Sequence, residues 1–436
     1  MKFVIITHVE HKSNELGIFA YEPYVREMNL WLKYVDEVQI VAPLSKEDIT
    51  SIESNYRFNK QTFNQVGDDD LELIKIPSFD ITSMKNGINA IFKISKICFQ
   101  IYNAMQWADH IHLRCPGNIG LLGCFVQILF PSKPKTVKYA GNWDPKSKQP
   151  LSYRLQKWIV SNTFLTKNCN VLVYGKWPKQ SKNIVPFFTA SYSELEIEDI
   201  MVRDISGFQE HTFDQVLNDE EQRQSQLDWA SHDMEHNEQI SNQVEDNEEQ
   251  RHSQLEWGSH EAELNFLFVG GLTPGKQPLL SVQVIHELKK KGYLVKLDMY
   301  GEGIERTNLT EYILDNSLEN EVRLHGNTYK EIVKKAYKEA HFLLFISKSE
   351  GWPKVVAEAM FWGCLPITSD VSCISYMLEN NKRGSIVNPS INEIVEVIES
   401  YIHNPKKFEE QVDKAMEWSR QYTLEKFEKE VGKLLV

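Results

Sequence analysis

Eleven short apolar runs, each set off from the next by a longer stretch, constrain this chain more than any other feature in it. Six come first: KFVIIT (2–7), EVQIVAP (37–43), LELIKIPS (71–78), HIHLRCP (110–116), TVKYAG (136–141) and NVLVYG (170–175). Amphipathic stretches at 22–35 and 87–107 lie among them. Five more follow later: LNFLFVGG (264–271), LVKLDMYG (294–301), EVRLHGN (321–327), HFLLFIS (341–347) and LPITS (365–369). Strands this continuously apolar are buried on both faces, and helix-length intervals between them predict parallel sheets with helices on each side. Ligands of such sheets sit beyond the carboxyl ends of the strands. Every strand-to-helix loop is therefore a candidate wall of a cleft.

The fold class predicted is α/β, two Rossmann-like domains facing one cleft, with a polar and flexible insert between them. Domain boundaries fall at 1–209 for the first domain and 264–415 for the second. Residues 416–436 form a final helix that returns toward the first domain. The insert, 210–263, holds 16 Asp and Glu against two Arg, a local charge of −14 in a chain whose total is −13. The folded remainder is thus close to neutral. Within the insert NDEEQRQSQLDWASH (218–232) recurs as DNEEQRHSQLEWGSH (246–260), with 10 of 15 residues identical. Two copies are too few for a self-supporting solenoid. Apart from Trp229 and Trp257 the repeat carries little that could be buried to offset the entropy of ordering. It reads as a duplicated polar segment, flexible or transiently helical, or as a docking segment for a partner.

Composition removes several classes. Hydrophobic residues make up 42 % and aromatic residues 11 %, a globular balance. No apolar run approaches 18 residues, so a membrane-spanning helix is not expected, and the start, MKFVIITHVEHK, is too polar for a signal peptide. Six scattered cysteines without a Cys-x-x-Cys pair predict reduced thiols in a cytoplasm. No basic stripe is interleaved with aromatics, so no nucleic-acid partner is expected. The Asp68-Asp69-Asp70 run has the look of a metal-diphosphate motif, but it precedes an edge-like strand and reads as a solvated loop; no metal is called for. The stretch 131–158 carries seven Lys and Arg against one Asp. Beside 87–107 it offers a surface for peripheral contact with an anionic membrane, at its inner face, or is ordinary surface.

Chemistry concentrates in SKSEGWPKVVAEAMFWGCLP (347–366). The strand HFLLFIS ends here, Glu350 opens a Gly-Trp-Pro turn, and Pro353 marks the start of a helix that carries Glu358. A helix start presents unpaired N–H groups and partial positive charge, a ready site for anions. Eight residues span roughly 12 Å of helix, so two carboxylates so spaced can grip the ends of an elongated ligand whose anionic middle rests on amides at Gly351, Trp352 and Lys354. The same pair can equally cap and decorate a helix.

This block, Glu350-x7-Glu358 within S-x-x-E-G-[FW]-P-x-x-x-x-E-A-M-x-x-G-x-P, resembles the signature of family 4 glycosyltransferases, retaining enzymes of the two-domain GT-B fold. FLFVGGLTPGKQP (266–278) is similar to that family's V-G-R-L-x-x-x-K segment, with Lys276 on its lysine. ADHIHLRCPGN (108–118) is similar to its D-x-x-H-x-H segment, with Asp109 and His112 in place. The resemblance implies that Glu358 holds nucleotide ribose hydroxyls and that Glu350 lies by the donor sugar. Lys276 and the amides after Glu350, in Gly351-Trp352-Pro353-Lys354, would bind the diphosphate; His325 to Asn327 would lie near the base. His112 is the catalytic candidate of the first domain, beside Glu350 and Lys276. Departures are informative. The family's arginine is Gly271 here, a donor-binding position short of one cation that Lys354 or Arg383 could supply. Arg114 stands at the second histidine. His8, Asn142 and Asp144 are acceptor-side candidates by loop position.

The resemblance implies a cytoplasmic hexosyltransferase-type enzyme, working without a cofactor, that moves a sugar from a UDP- or GDP-linked nucleotide-sugar to a glycan or lipid-linked acceptor with retention. Bacterial envelope or exopolysaccharide synthesis is the setting it implies. Two alternatives stay open: a GT-B epimerase acting on the nucleotide-sugar itself, and a non-catalytic binding protein with a decayed donor site. Replacing residues 210–262 by a short Gly/Ser linker is expected to leave the thermal midpoint and donor hydrolysis unchanged. A large fall in the midpoint on calorimetric scanning would show that the insert packs as part of the enzyme.

Overall fold

The structure, a computed structural model, describes residues 1–15, 17–45, 55–58, 70–77, 87–206 and 263–435. The duplicated repeats of the insert, and Asp68 and Asp69 of the acidic run, lie outside these residues. The first half runs β1 Lys2–Ile6, β2 His11–Asn14, β3 Gly17–Tyr21, α1 Glu22–Leu32, β4 Glu37–Pro43, β5 Asn55–Arg57 and β6 Leu71–Ile76. It continues through α2 Gly87–Trp107, β7 His110–Cys115, α3 Asn118–Val126, β8 Lys135–Tyr139, α4 Leu151–Ser161, β9 Cys169–Tyr174 and β10 Ile184–Phe187. The second half opens with β11 Leu264–Val269, α5 Pro278–Lys290, β12 Val295–Tyr300, α6 Arg306–Asp315, β13 Val322–Gly326 and α7 Lys330–Glu339. There follow β14 Phe342–Phe345, α8 Lys354–Phe361, β15 Leu365–Ser369, α9 Ile374–Met377 and β16 Ser385–Val387. Helices α10 Ile391–Ile402, α11 Pro405–Ser419 and α12 Leu424–Leu435 close the chain.

Both large sheets are parallel throughout. The seven-stranded sheet has the order β10-β9-β8-β7-β1-β4-β6, and the six-stranded one β13-β12-β11-β14-β15-β16. Eleven apolar runs thus became eleven strands of two sheets. The sequence reading missed β10 and β16, which are only four and three residues long. It also missed β2, β3 and β5, which pair antiparallel in a three-stranded sheet of their own. Stretch 8–14 reads as a polar loop, but His11 is buried there, stacked on Phe58 at 5.5 Å. Its pKa is pushed down to about 4 by desolvation.

Each sheet is covered on both faces, as its apolar strands require. In the first half α1 packs Tyr24, Met28 and Trp31 on one face while α2 packs Ile97, Ile101 and Met105 on the other. The core beneath α1 does not stop at that half. It continues through Leu172 and Tyr174 into Trp352, Val356 and Met360 of the second. Helix α12 belongs by sequence to the second half and packs on the first. Phe427 lies 5.4 Å from Phe187 and 5.8 Å from Phe188, and Lys33 of α1 pairs with Glu428 at 2.6 Å. The helical tail breaks between Ser419 and Leu424 rather than starting anew at 416.

Loops at the carboxyl edges of the two sheets meet closely. A Cβ on Gly351, in the loop after β14, would fall 2.3 Å from the Ala140 carbonyl oxygen after β8. Gly175, after β9, has φ +79° and a Cβ there would fall 2.7 Å from Cys373 Cβ. Only a residue without a side chain adopts that backbone and that approach at low cost. Gly175→Ala is therefore expected to destabilise the chain by about 1–3 kcal/mol from the left-handed conformation alone. Urea unfolding of the two proteins measures it.

Candidate active site

The loop after β11 is folded by glycine. Gly301 has φ +136°, and a Cβ there would fall 2.0 Å from the Gly270 carbonyl oxygen, so the two loops cross backbone on backbone. The Leu272 amide donates to the Glu302 carbonyl at 2.9 Å and fixes the crossing. Next to it, the Gly275 carbonyl accepts from the Lys348 amide at 2.8 Å and from Ser347 Oγ at 3.3 Å. These bonds tie the loop after β11 to the loop after β14. As a result Lys276 Nζ donates to Glu350 Oε1, which also accepts from Ser347 Oγ at 2.6 Å. The ammonium lies 4.8 Å from the centre of the Phe345 ring. Glu350 is 12 % exposed and Lys276 27 %, so the pair is shielded but open on one side. Beyond the ends of β14, β15 and β16 a cavity of about 490 Å³ opens, lined among others by Gln277, Ser347, Lys348, Asp370 and Asn388.

Glu350 and Glu358 are not two turns apart on one helix. Helix α8 begins at Lys354, so Glu350 lies in the loop and Glu358 one turn into the helix. Pro353 has no N–H, and the Lys354 amide donates back to the Trp352 carbonyl at 2.8 Å, so the expected amide cradle is narrower than the sequence implies. Trp352 is buried against Tyr174 of the first half, ring centres 5.6 Å apart. Glu358 accepts two hydroxyls, the chemistry assigned to it, but both belong to the protein: Ser191 Oγ on one oxygen and Tyr337 OH at 3.2 Å on the other. A carboxylate has about four acceptor positions, which leaves room for further hydroxyl donors.

Gly271 has space. A Cβ there would meet its nearest neighbours at 3.7 Å, ordinary contact distance. Arg383 does not take the place of the missing arginine, because its guanidinium is held by Glu379 and by the Met377 carbonyl. Asn327 is exposed just after β13. Beside it His325 stacks on Tyr300, 4.5 Å apart at 9°, and its Nε2 pairs with Asp298 at 2.6 Å.

On the first half, His8 follows β1 and overhangs Gly117, where a Cβ would fall 2.6 Å from His8 Nδ1. Desolvation, and secondarily the Arg114 guanidinium, lower its pKa. Asn142 and Asp144 spend side-chain oxygens on the turn after β8. Asn142 accepts from the Asp144 amide at 2.9 Å and Asp144 from the Lys146 amide at 2.8 Å. His112 is not brought to the cleft. It is fully buried on β7, its Nδ1 on Thr136 Oγ1 at 2.9 Å and its ring 4.6 Å from Trp31, and burial lowers its pKa far below the ordinary value. The candidate catalytic histidine is a core side chain: its strand position alternates inward, under α1. Sequence reading passed over Glu27 and counted Lys138 with the surface cations of 131–158, but both are buried beside Arg114. The available signal was a charge inside an apolar strand, Lys138 in TVKYAG.

Among the described residues no group of three or more His, Cys, Asp or Glu side chains is placed to hold a metal ion. None of their helices is long and apolar enough to cross a membrane.

Two parallel sheets that meet at their carboxyl edges make up the GT-B architecture. Residues 249–418 match the family model described as glycosyl transferases group 1. Over 138 residues the sequence is 28 % identical to a poly(ribitol-phosphate) alpha-N-acetylglucosaminyltransferase of Staphylococcus aureus (strain COL). That match takes in 31 % of this chain and 28 % of the relative, so the chain spans little more than a quarter of that protein's length. The fold is similar to that of Anabaena HepE in complex with UDP-glucose, with a TM-score of 0.59 and 11 % identity over 100 % of this chain and 99 % of that one. Sucrose-phosphate synthase of Thermosynechococcus elongatus is comparably similar, with a TM-score of 0.59 and 14 % identity over 100 % and 98 % of the two chains. At such identities the likeness is one of fold.

The Lys276–Glu350 pair gives a direct check on the loop geometry. A double-mutant cycle with Lys276→Ala and Glu350→Gln is expected to yield an interaction energy of about 1–2 kcal/mol in unfolding. A value near zero would mean that the two loops do not hold the pair together.

Proposed function

We propose that the chain is a retaining glycosyltransferase that moves a hexose-type sugar from a nucleotide-sugar donor to a glycan or lipid-linked acceptor. The single observation that carries the reading is the Lys276–Glu350–Ser347 cluster, held at the carboxyl ends of β11 and β14 where the strand order reverses. That reversal is where open parallel sheets bind their ligands. Lys276 is the side-chain cation for the diphosphate, offsetting the charge that gathers on the departing nucleotide. Glu350 orients both the ammonium and the hydroxyls of the donor sugar. Glu358, already an acceptor of two hydroxyls, is suited to receive those of a ribose. The donor is UDP-linked in the neighbour from Anabaena. The relative from Staphylococcus aureus acts, by name, on a ribitol-phosphate polymer, which extends the acceptor class to phosphodiester polymers. The six cysteines are free and five are buried, which supports work in the reducing cytoplasm where nucleotide-sugars are made, with envelope polysaccharide as the destination. A division into a first domain, a second domain and a tail that turns back after Ser419 fits this reading.

A screen of UDP- and GDP-sugars for thermal stabilisation identifies the donor. Incubating that donor without acceptor distinguishes transfer from epimerisation, since an epimerase interconverts it. Lys276→Ala is expected to lose roughly 2–4 kcal/mol of transition-state stabilisation, about 30- to 1000-fold in turnover. Glu358→Gln is expected to weaken nucleotide binding with the fold intact. Wild-type turnover in Lys276→Ala together with unchanged affinity in Glu358→Gln would remove the site.

A further inference from the structure

Charged side chains of the first half converge where its sheet faces the start of α8. Arg114 and Lys138 are register partners on β7 and β8, so their side chains leave one face of the sheet side by side. Both point to Glu27 of α1: Arg114 Nη1 and Lys138 Nζ lie 3.9 and 3.8 Å from its Oε1. Lys138 is fully buried and has other partners. It donates to the Phe188 carbonyl at 2.9 Å and lies 4.5 Å from the Phe187 ring and 4.9 Å from that of Tyr174. Arg114 is less well served. Its guanidinium stacks 4.7 Å over Tyr24, and its buried Nη1 has no hydrogen-bond partner, nor has the buried Oε1 of Glu27. At 3.9 Å the two attract as ions without a hydrogen bond. A buried charged donor left unpaired is costly, so the arrangement favours a ligand that accepts from it.

The second half adds to the same charge. The contact of Gly351 with Ala140 and of Trp352 with Tyr174 brings the start of α8 to the ends of β8 and β9. Lys354, its first residue, lies in the field of Glu27, Arg26, Glu358 and Arg114. Glu27 is thus the one carboxylate common to Arg114, Lys138 and Lys354, and the helix start contributes further positive potential. Cations contributed by opposite walls of a cleft repel one another. An anion between them converts that repulsion into a bridge.

We propose that Arg114 of the first half and Lys354 of the second form a seat for a phosphate group that bridges the two walls of the cleft. The proposal rests on the transferase reading above. A planar guanidinium fork matches phosphate oxygens, and a compact ammonium at a helix start complements them. Two substrates of such an enzyme carry the group: the diphosphate of the donor, which lacks a side-chain cation at Gly271, and a phosphodiester of the acceptor.

Calorimetry on the full chain with UDP, uridine and glycerol 3-phosphate tests the seat and its source. Arg114→Gln and Lys354→Gln are each expected to weaken binding of a phosphate-bearing ligand about 10-fold or more, with uridine affinity unchanged and Arg114→Lys recovering part of the loss. A loss confined to UDP assigns the seat to the donor. A loss on glycerol 3-phosphate assigns it to the acceptor. Because Arg114→Gln strips Glu27 of a neighbour, Lys354→Gln, which leaves Glu27 with Arg114 and Lys138, carries the test alone if the first variant does not fold. Affinities for both phosphate ligands that match wild type in the folded variants, or equal losses on UDP and uridine, overturn the seat and leave the transferase reading standing. Wild-type protein that binds neither UDP nor uridine, and neither GDP nor guanosine in their place, overturns that reading and the seat with it.

Discussion

One carbonyl organises the carboxyl edge of the sheet in the second half. Gly275 offers its oxygen to the Lys348 amide and to Ser347 Oγ, and this joins the loop after β11 to the loop after β14 on either side of the strand-order reversal. Without that junction Lys276 and Glu350, 74 positions apart, have no reason to meet. The ion pair is partly shielded, where a lost partner is felt more than at an open surface. A pair that is open on one side is also a pair that a ligand can enter, exchanging ammonium-to-carboxylate contacts for ammonium-to-phosphate ones.

The seam between the halves depends on close approach at glycine and on aromatic packing. Gly351 on Ala140 and Gly175 on Cys373 admit no side chain, and Trp352 packs between Tyr174 and Trp418. Helix α12 then fastens the second half to the first through Phe427. Within this seam Glu358 holds Ser191, so a carboxylate suited to a nucleotide ribose also bridges the walls. On the proposed reading of Glu358, ligand binding and the relation of the two halves act through the same side chain, and differential contacts of that kind are what couple binding to closure.

Much of this was legible in the sequence. The apolar runs at 264–269, 342–345 and 365–369 are strands because a parallel sheet buried on both faces tolerates little else. The α8 start at Lys354 follows from Pro353, and helix 87–107 from its amphipathic period. The Lys276 and Glu350 candidates came from motif spacing, and they do meet. The antiparallel trio β2, β3 and β5 was not legible. Its strands are three to five residues long, and their pairing closes through contacts between 17–21 and 55–57 that no local pattern announces.

The site divides along the same line. Sequence alone determined which loops lie at the strand ends and that Glu350 and Glu358 flank a helix start, because these follow from local period and residue type; the missing cation at Gly271 shows only against the family resemblance. Tertiary structure decided which face each strand turns inward. It put His112 beneath α1 with no exposed surface, although its motif named it for catalysis. It spent the oxygens of Asn142 and Asp144 on a turn, committed Arg383 to Glu379, and gathered Glu27, Arg114 and Lys138 from three separate elements. Burial and partnership are properties of what lies across from a residue, and a linear pattern carries only what lies beside it.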